Sequence, residues 1–141
     1  MHSWPRRISV FAATLMLASA VCLAVGVIPP VRGDTFSHAT PERAVPAFWV
    51  AVAVDVVLAG AAVASSRFGY RVLLAVGGMV ALLAGLALID AATAYPAHGP
   101  AMHGVVVVLW VCVGFDVVGG VSMLGAALTP RRHWGDRPSP V

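Results

Sequence analysis

The chain has 141 residues, is 60% hydrophobic and 11% charged, and has a mean hydropathy of +0.90. A soluble domain of this length could not hide so much apolar surface, which excludes the ordinary soluble classes and puts a membrane protein first. The formal charge of +3 is small, dispersed and carried by arginine without any lysine, so it argues against a nucleic-acid partner and for arginines as topology markers.

Residues 1–7 form a short tail carrying Arg6 and Arg7. Residues 8–28 are the first apolar segment. The pair of arginines, the apolar run and the VRG before Asp34 resemble a secretory signal, but the run is long for that role and VRG is a poor cleavage site. An uncleaved helix is expected. PPVRGDTFSHATPERAVP, residues 29–46, reads as an irregular outer loop; its RGD is too short to carry information.

The second apolar segment is 47–65 and the third 72–89, joined by the short turn SSRFGYR. DAATAYPAHGPAMHG, residues 90–104, is a second outer loop, and 104–128 is the fourth apolar segment. Each segment can cross a hydrocarbon core of about 30 Å as a helix rising about 1.5 Å per residue. Backbone polar groups in lipid must be satisfied internally, so the segments read as helices. Residues 129–141 form the C-terminal tail. The expected fold is an all-α membrane protein, a four-helix transmembrane bundle spanning 8–128.

Arg6, Arg7, Arg67, Arg71, Arg131, Arg132 and Arg137 fall on one side of that topology; Arg32 and Arg43 fall on the other, offset by Asp34 and Glu42. The positive-inside rule makes the first side cytoplasmic and both termini inner. Trp49 and Trp110 suit the outer interface as anchors. Basic usage restricted to arginine, with Ala, Val and Gly in excess, suggests a GC-rich bacterial source, hence a bacterial plasma membrane.

WVAVAVDVV at 49–57 recurs as WVCVGFDVV at 110–118, a shift of 61 residues that superposes Trp49 on Trp110 and Asp55 on Asp116. The expected origin is a tandem repeat of a two-helix hairpin, its copies running the same way through the membrane. Each Asp then lies six residues, about 9 Å, inward of its Trp, near mid-membrane. A charge there costs at least about 2.5–3.5 kcal/mol, and no basic residue lies mid-helix to offset it. Three outcomes stay open. The carboxyls are protonated and clamp two helices by hydrogen bonding; they form a proton or cation site; or a basic residue of another subunit meets them.

Asp90, at the expected end of the third helix, needs a cation, because the dipole there is negative. His98, His103, His38 and Arg43 from the outer loops are its candidate partners. The His98–His103 spacing, with Pro100 between, is no helical metal motif, and ordinary loop histidines are the simpler reading. No metal or cofactor is expected. Cys22 and Cys112 read as packing cysteines, with a disulfide open only if the first and fourth helices touch. Gly77, Ala81 and Gly85 form a small-residue row on the third helix, and Gly119, Gly120 and Gly125 serve the fourth.

No nucleophile triad, phosphate loop or haem-ligating His within a span points to an enzyme. The expected function is that of a non-catalytic subunit or homo-oligomeric scaffold, with the lipid bilayer, further copies or other membrane subunits as partners. The alternative is a small proton- or cation-coupled carrier using Asp55 and Asp116.

Overall fold

The structure is a computed structural model that describes residues 4–33, 41–68, 70–94 and 100–129. The described residues are almost all helical. Helix α1 is Trp4–Cys22 and continues through a π-helical turn, Leu23–Val27, into α2, Ile28–Gly33. Helices α3 (Pro41–Phe68), α4 (Arg71–Ala94) and α5 (Pro100–Leu128) follow. Among the described residues, four spans are long and apolar enough to cross a membrane: Trp4–Val31, Val45–Phe68, Arg71–Thr93 and His103–Leu128.

The π-helical turn has a local cause. Pro29 and Pro30 lack the N–H groups that would bond the carbonyls of Val25 and Gly26 in an α register. The Ile28 N–H instead donates to the Leu23 carbonyl, five residues back. The wider turn admits the prolines without ending the span. Proline also marks the helix starts. Pro41 and Pro100 are the first residues of α3 and α5, where a missing N–H costs nothing and a fixed φ helps. Both helices therefore begin inside stretches that read as loop in the sequence.

Around the bundle, α1 packs against α3 and α5, and α4 packs closely on α5 and lightly on α3. Helices α3 and α5 thus stand diagonally opposite, and their side chains meet only through the centre. Each expected hairpin, α1 with α3 and α4 with α5, is closely packed, but α1 lies tighter on α5 than α4 does on α3. The two halves are not equivalent in packing.

Contact between α4 and α5 depends on glycine. A Cβ on Gly78 would lie 2.8 Å from the Gly120 carbonyl oxygen, and one on Gly77 would lie 2.6 Å from Met123 Cε. Gly119 takes the Met16 methyl end from α1. The row on α4 is therefore spent within the chain. Gly125 differs: it faces outward, with nothing within 4 Å of its Cβ position.

The core divides into two apolar clusters. One, toward the α2 end, contains Leu23, Val27, Phe48, Leu88, Leu109 and Cys112. The other, toward the start of α1, contains Ala12, Met16, Leu58, Leu74, Ala81 and Met123. The outward faces remain apolar, with Phe11, Val25, Val57, Leu83, Leu86 and Val121 exposed. So much contiguous apolar surface suits lipid rather than water. Arg6, Arg7, Arg67 and Arg71 gather at the end where α1 and α4 begin and α3 stops.

Candidate functional site

Between the two apolar clusters lies a thin polar layer. On α1 it is Ser19, between Met16 and Leu23; on α3 it is Asp55, between Phe48 and Leu58; on α5 it is Asp116, between Cys112 and Met123. Helix α4 contributes Gly85, whose Cβ position is 3.5 Å from Asp116 Cβ, so this helix closes the layer from behind without adding a polar group. Ser19 and Asp116 are 0% exposed and Asp55 is 1% exposed. The two carboxyls, approaching from diagonal helices, lie beside each other, and the Ser19 side chain lies beside both.

The three side chains are within hydrogen-bonding reach of one another, but most of their oxygens make no well-formed bond. Ser19 Oγ, Asp55 Oδ2 and both carboxyl oxygens of Asp116 are buried without a partner. Buried polar atoms are ordinarily paired, because an unmet one costs about 1–3 kcal/mol. Ser19 stands apart in a second way. Ser9, Thr14, Ser65, Ser66, Thr93, Ser122 and Thr129 all donate to carbonyls three or four residues back in their own helices. That is the default for a hydroxyl in an apolar helix. Of the described hydroxyl side chains in the helices, Ser19 alone is directed into the bundle instead.

Cys112 braces the layer. Its thiol donates a weak bond, 3.7 Å long, to the Ser19 carbonyl oxygen, joining α5 to α1 one turn before Asp116. Cys22 and Cys112 sit on packed helices, and both are free thiols. The π-helical turn begins one turn beyond Ser19; such turns recur at functional sites.

Trp49 and Trp110 are 48% and 47% exposed, both outward. They hold equivalent stations about 9 Å along their helices from the buried carboxyls. The outer cluster is not assembled among the described residues. Asp90 is exposed, and α4 runs past it to Ala94, so its carboxylate stands before the end of the helix rather than on it. His103 is also exposed. His38 and His98, and the side chain of Arg43, lie outside what is described. Among the described residues no three His, Cys, Asp or Glu side chains gather as a metal site.

Sequence reasoning does not single out Ser19. A serine in LASAV looks like one more small packing residue, and the available signal is indirect: it is the only polar residue of the first apolar segment at the depth of the two aspartates. The fold and this layer define a multi-pass helical membrane protein with an acidic centre. No protein-family model matches the chain, and neither curated proteins nor solved structures give a match.

Proposed function

We propose that this chain is a non-enzymatic membrane protein whose bundle centre, Ser19, Asp55 and Asp116, is a proton and cation site, and that it works as a small carrier or cation-responsive element. The observation that carries the reading is the set of four buried, unpartnered oxygens on three helices. Buried carboxyl and hydroxyl oxygens with spare acceptor capacity are what a proton or a small cation needs in a core without water.

Charge limits what such a site can hold. A low-dielectric core tolerates two carboxyls only near net neutrality, and no Arg, Lys or His occurs at residues 8–28, 47–65, 72–89 or 104–128. With at most one monovalent cation, two states are neutral: both carboxyls protonated, or one protonated, one ionised and the cation bound. A monovalent cation can therefore enter only as one proton leaves, and a divalent cation only as two leave. Carboxylate, hydroxyl and carbonyl oxygens are hard donors, suited to a small hard cation rather than a soft transition metal.

The experiment uses purified full-length protein at low buffer strength. Adding sodium chloride should release up to one proton per chain, read with a pH dye, and Asp116→Asn should abolish the release. Choline chloride should give none. No release with sodium or potassium at any pH from 5 to 9 would overturn the reading.

A second reading, a homo-oligomeric scaffold or subunit in a bacterial plasma membrane with both termini inside, rests on a different surface. Gly114 and Gly125 leave open space on the outward side of α5. They are three helical turns apart and share a face, the kind of smooth strip on which a second helix can settle. Chemical cross-linking in membranes, reduced by Gly114→Leu, tests it separately from proton release.

A further inference from the structure

A second site lies away from the acidic centre, on the lipid-facing side of α1 and α3. There an open groove of about 450 Å³ is lined by Leu17, Gly60, Val63, Ala64, Arg67 and Phe68, with Val56 and Ala59 at its far end. We propose that this groove seats one chain of an anionic phospholipid, with the lipid phosphate on the Arg67 guanidinium.

Three observations select that occupant. The first is depth. The span Val45–Phe68 ends one residue beyond Arg67, which puts the guanidinium at headgroup level and the rest of the groove at acyl-chain level. Positions 56, 60, 63–64 and 67 share one helix face and run about 16 Å along it. The second is charge. Arg67 supplies the only polar side chain of the lining, and among the described residues it makes no ion pair. The nearby Arg71 is engaged, with Nε and one terminal nitrogen donating to the Ala127 carbonyl oxygen. Ser65 and Ser66 are turned onto carbonyls of their own helix. An apolar trough with one free fork of donors at its mouth matches a phosphodiester on a hydrocarbon tail.

The third observation is the floor. Gly60 has nothing within 4 Å of its Cβ position, so the missing side chain leaves open space in the trough. The other open glycines within the spans, Gly104, Gly114 and Gly125, share their span with no arginine. Beside the mouth, Phe68 and Tyr70 stack with ring centroids 5.8 Å apart, the kind of aromatic pair that marks the membrane interface.

The test reconstitutes full-length protein in nanodiscs of phosphatidylcholine with increasing phosphatidylglycerol and follows the thermal midpoint and bound lipid by native mass spectrometry. Wild type should gain stability as phosphatidylglycerol rises and retain one such lipid. Arg67→Gln should weaken retention about five-fold, the worth of one arginine near an anionic headgroup. Arg7→Gln removes the same charge from the same end and should change retention less than two-fold. Gly60→Leu adds a side chain whose Cβ meets nothing within 4 Å, so it should fold, occupy the trough and lose the lipid. Equal losses for Arg67→Gln and Arg7→Gln would reduce the effect to general surface attraction and overturn the site. So would undiminished retention in Gly60→Leu, or a groove occupied by a second copy and recognised by a dimer that Gly60→Leu dissociates.

Discussion

Gly78 and Gly120 meet backbone to backbone. A Cβ on Gly78 would lie 2.8 Å from the Gly120 carbonyl oxygen, and a Cβ on Gly120 would lie 2.9 Å from the Gly78 carbonyl oxygen. Neither obstacle is a flexible side-chain end, so neither can give way cheaply. Gly78→Val or Gly120→Val should force α4 and α5 apart and cost about 1–3 kcal/mol, the usual range for overpacking. Gly114→Val, in open space on the same helix as Gly120, should cost little. Thermal midpoints in detergent compare the three. Equal tolerance at 78, 120 and 114 would mean that α4 and α5 do not approach as described.

The α4–α5 contact has a polar lock two helical turns further on, where α4 begins and α5 stops. Arg71, the first residue of α4, donates from Nε at 2.8 Å and from a terminal nitrogen at 2.6 Å to the Ala127 carbonyl oxygen. Ala127 lies in the last turn of α5, where carbonyls lack helical partners, and a cation is favoured there. Arg71→Gln should destabilise by about 1–2 kcal/mol, and the last turn of α5 should exchange its amide hydrogens faster. Arg71→Lys should recover only part of this, because an ammonium cannot reproduce the two-nitrogen fork. Hydrogen-exchange mass spectrometry over 121–129 reads the difference.

How far these features are legible in the sequence depends on the kind of interaction. The four spans follow from apolar length, which lipid makes nearly decisive. Helix ends follow less well. Pro41 and Pro100 look like loop residues until their positions as first helical residues are recognised, and Pro29–Pro30 looks like a stop although a π-helical turn carries the span past it. The glycines of α4 announce close packing but not with what; only the fold assigns Gly77 and Gly78 to α5 rather than to another copy. Asp55 and Asp116 are legible as carboxyls at matching depth through their spacing from Trp49 and Trp110. Ser19 is not, because its distinction is a hydroxyl that fails to bond its own helix, and that is a matter of rotamer and neighbours.

Orientation rests on arginine. With seven arginines on one side and two on the other, the positive-inside rule predicts both termini in the cytoplasm. Single cysteines placed at 38 and 98, in a background with Cys22 and Cys112 replaced by alanine, should react with an impermeant maleimide in intact cells. Cysteines at 68 and 134 should react only after permeabilisation. Labelling of 134 in intact cells would invert the topology and put the Arg67 groove on the opposite leaflet.

The acidic centre makes the sharpest energetic prediction, because three helices each contribute one polar group to a place that no basic side chain among the described residues reaches. Asp55→Asn and Asp116→Asn keep groups that donate and accept hydrogen bonds, so each should fold and remain within about 1 kcal/mol of wild type while losing cation-dependent proton release. Asp116→Leu leaves Asp55 and Ser19 with one neighbour fewer in an enclosed core and should cost about 1–3 kcal/mol. The double change to leucine at 55 and 116 should cost less than the sum of the single changes, with a coupling of about 0.5–3 kcal/mol. Ser19→Ala should bear on binding more than on folding: the hydroxyl is unbonded within its own helix, so its loss should leave the thermal midpoint nearly unchanged but shift proton release to higher sodium concentration. A double-mutant cycle on stability, run beside sodium titrations of the same variants, separates the two roles. Zero coupling between 55 and 116 would mean that the carboxyls do not share a site, and an Asn variant that still exchanges protons for sodium would show that the site is not where ions bind.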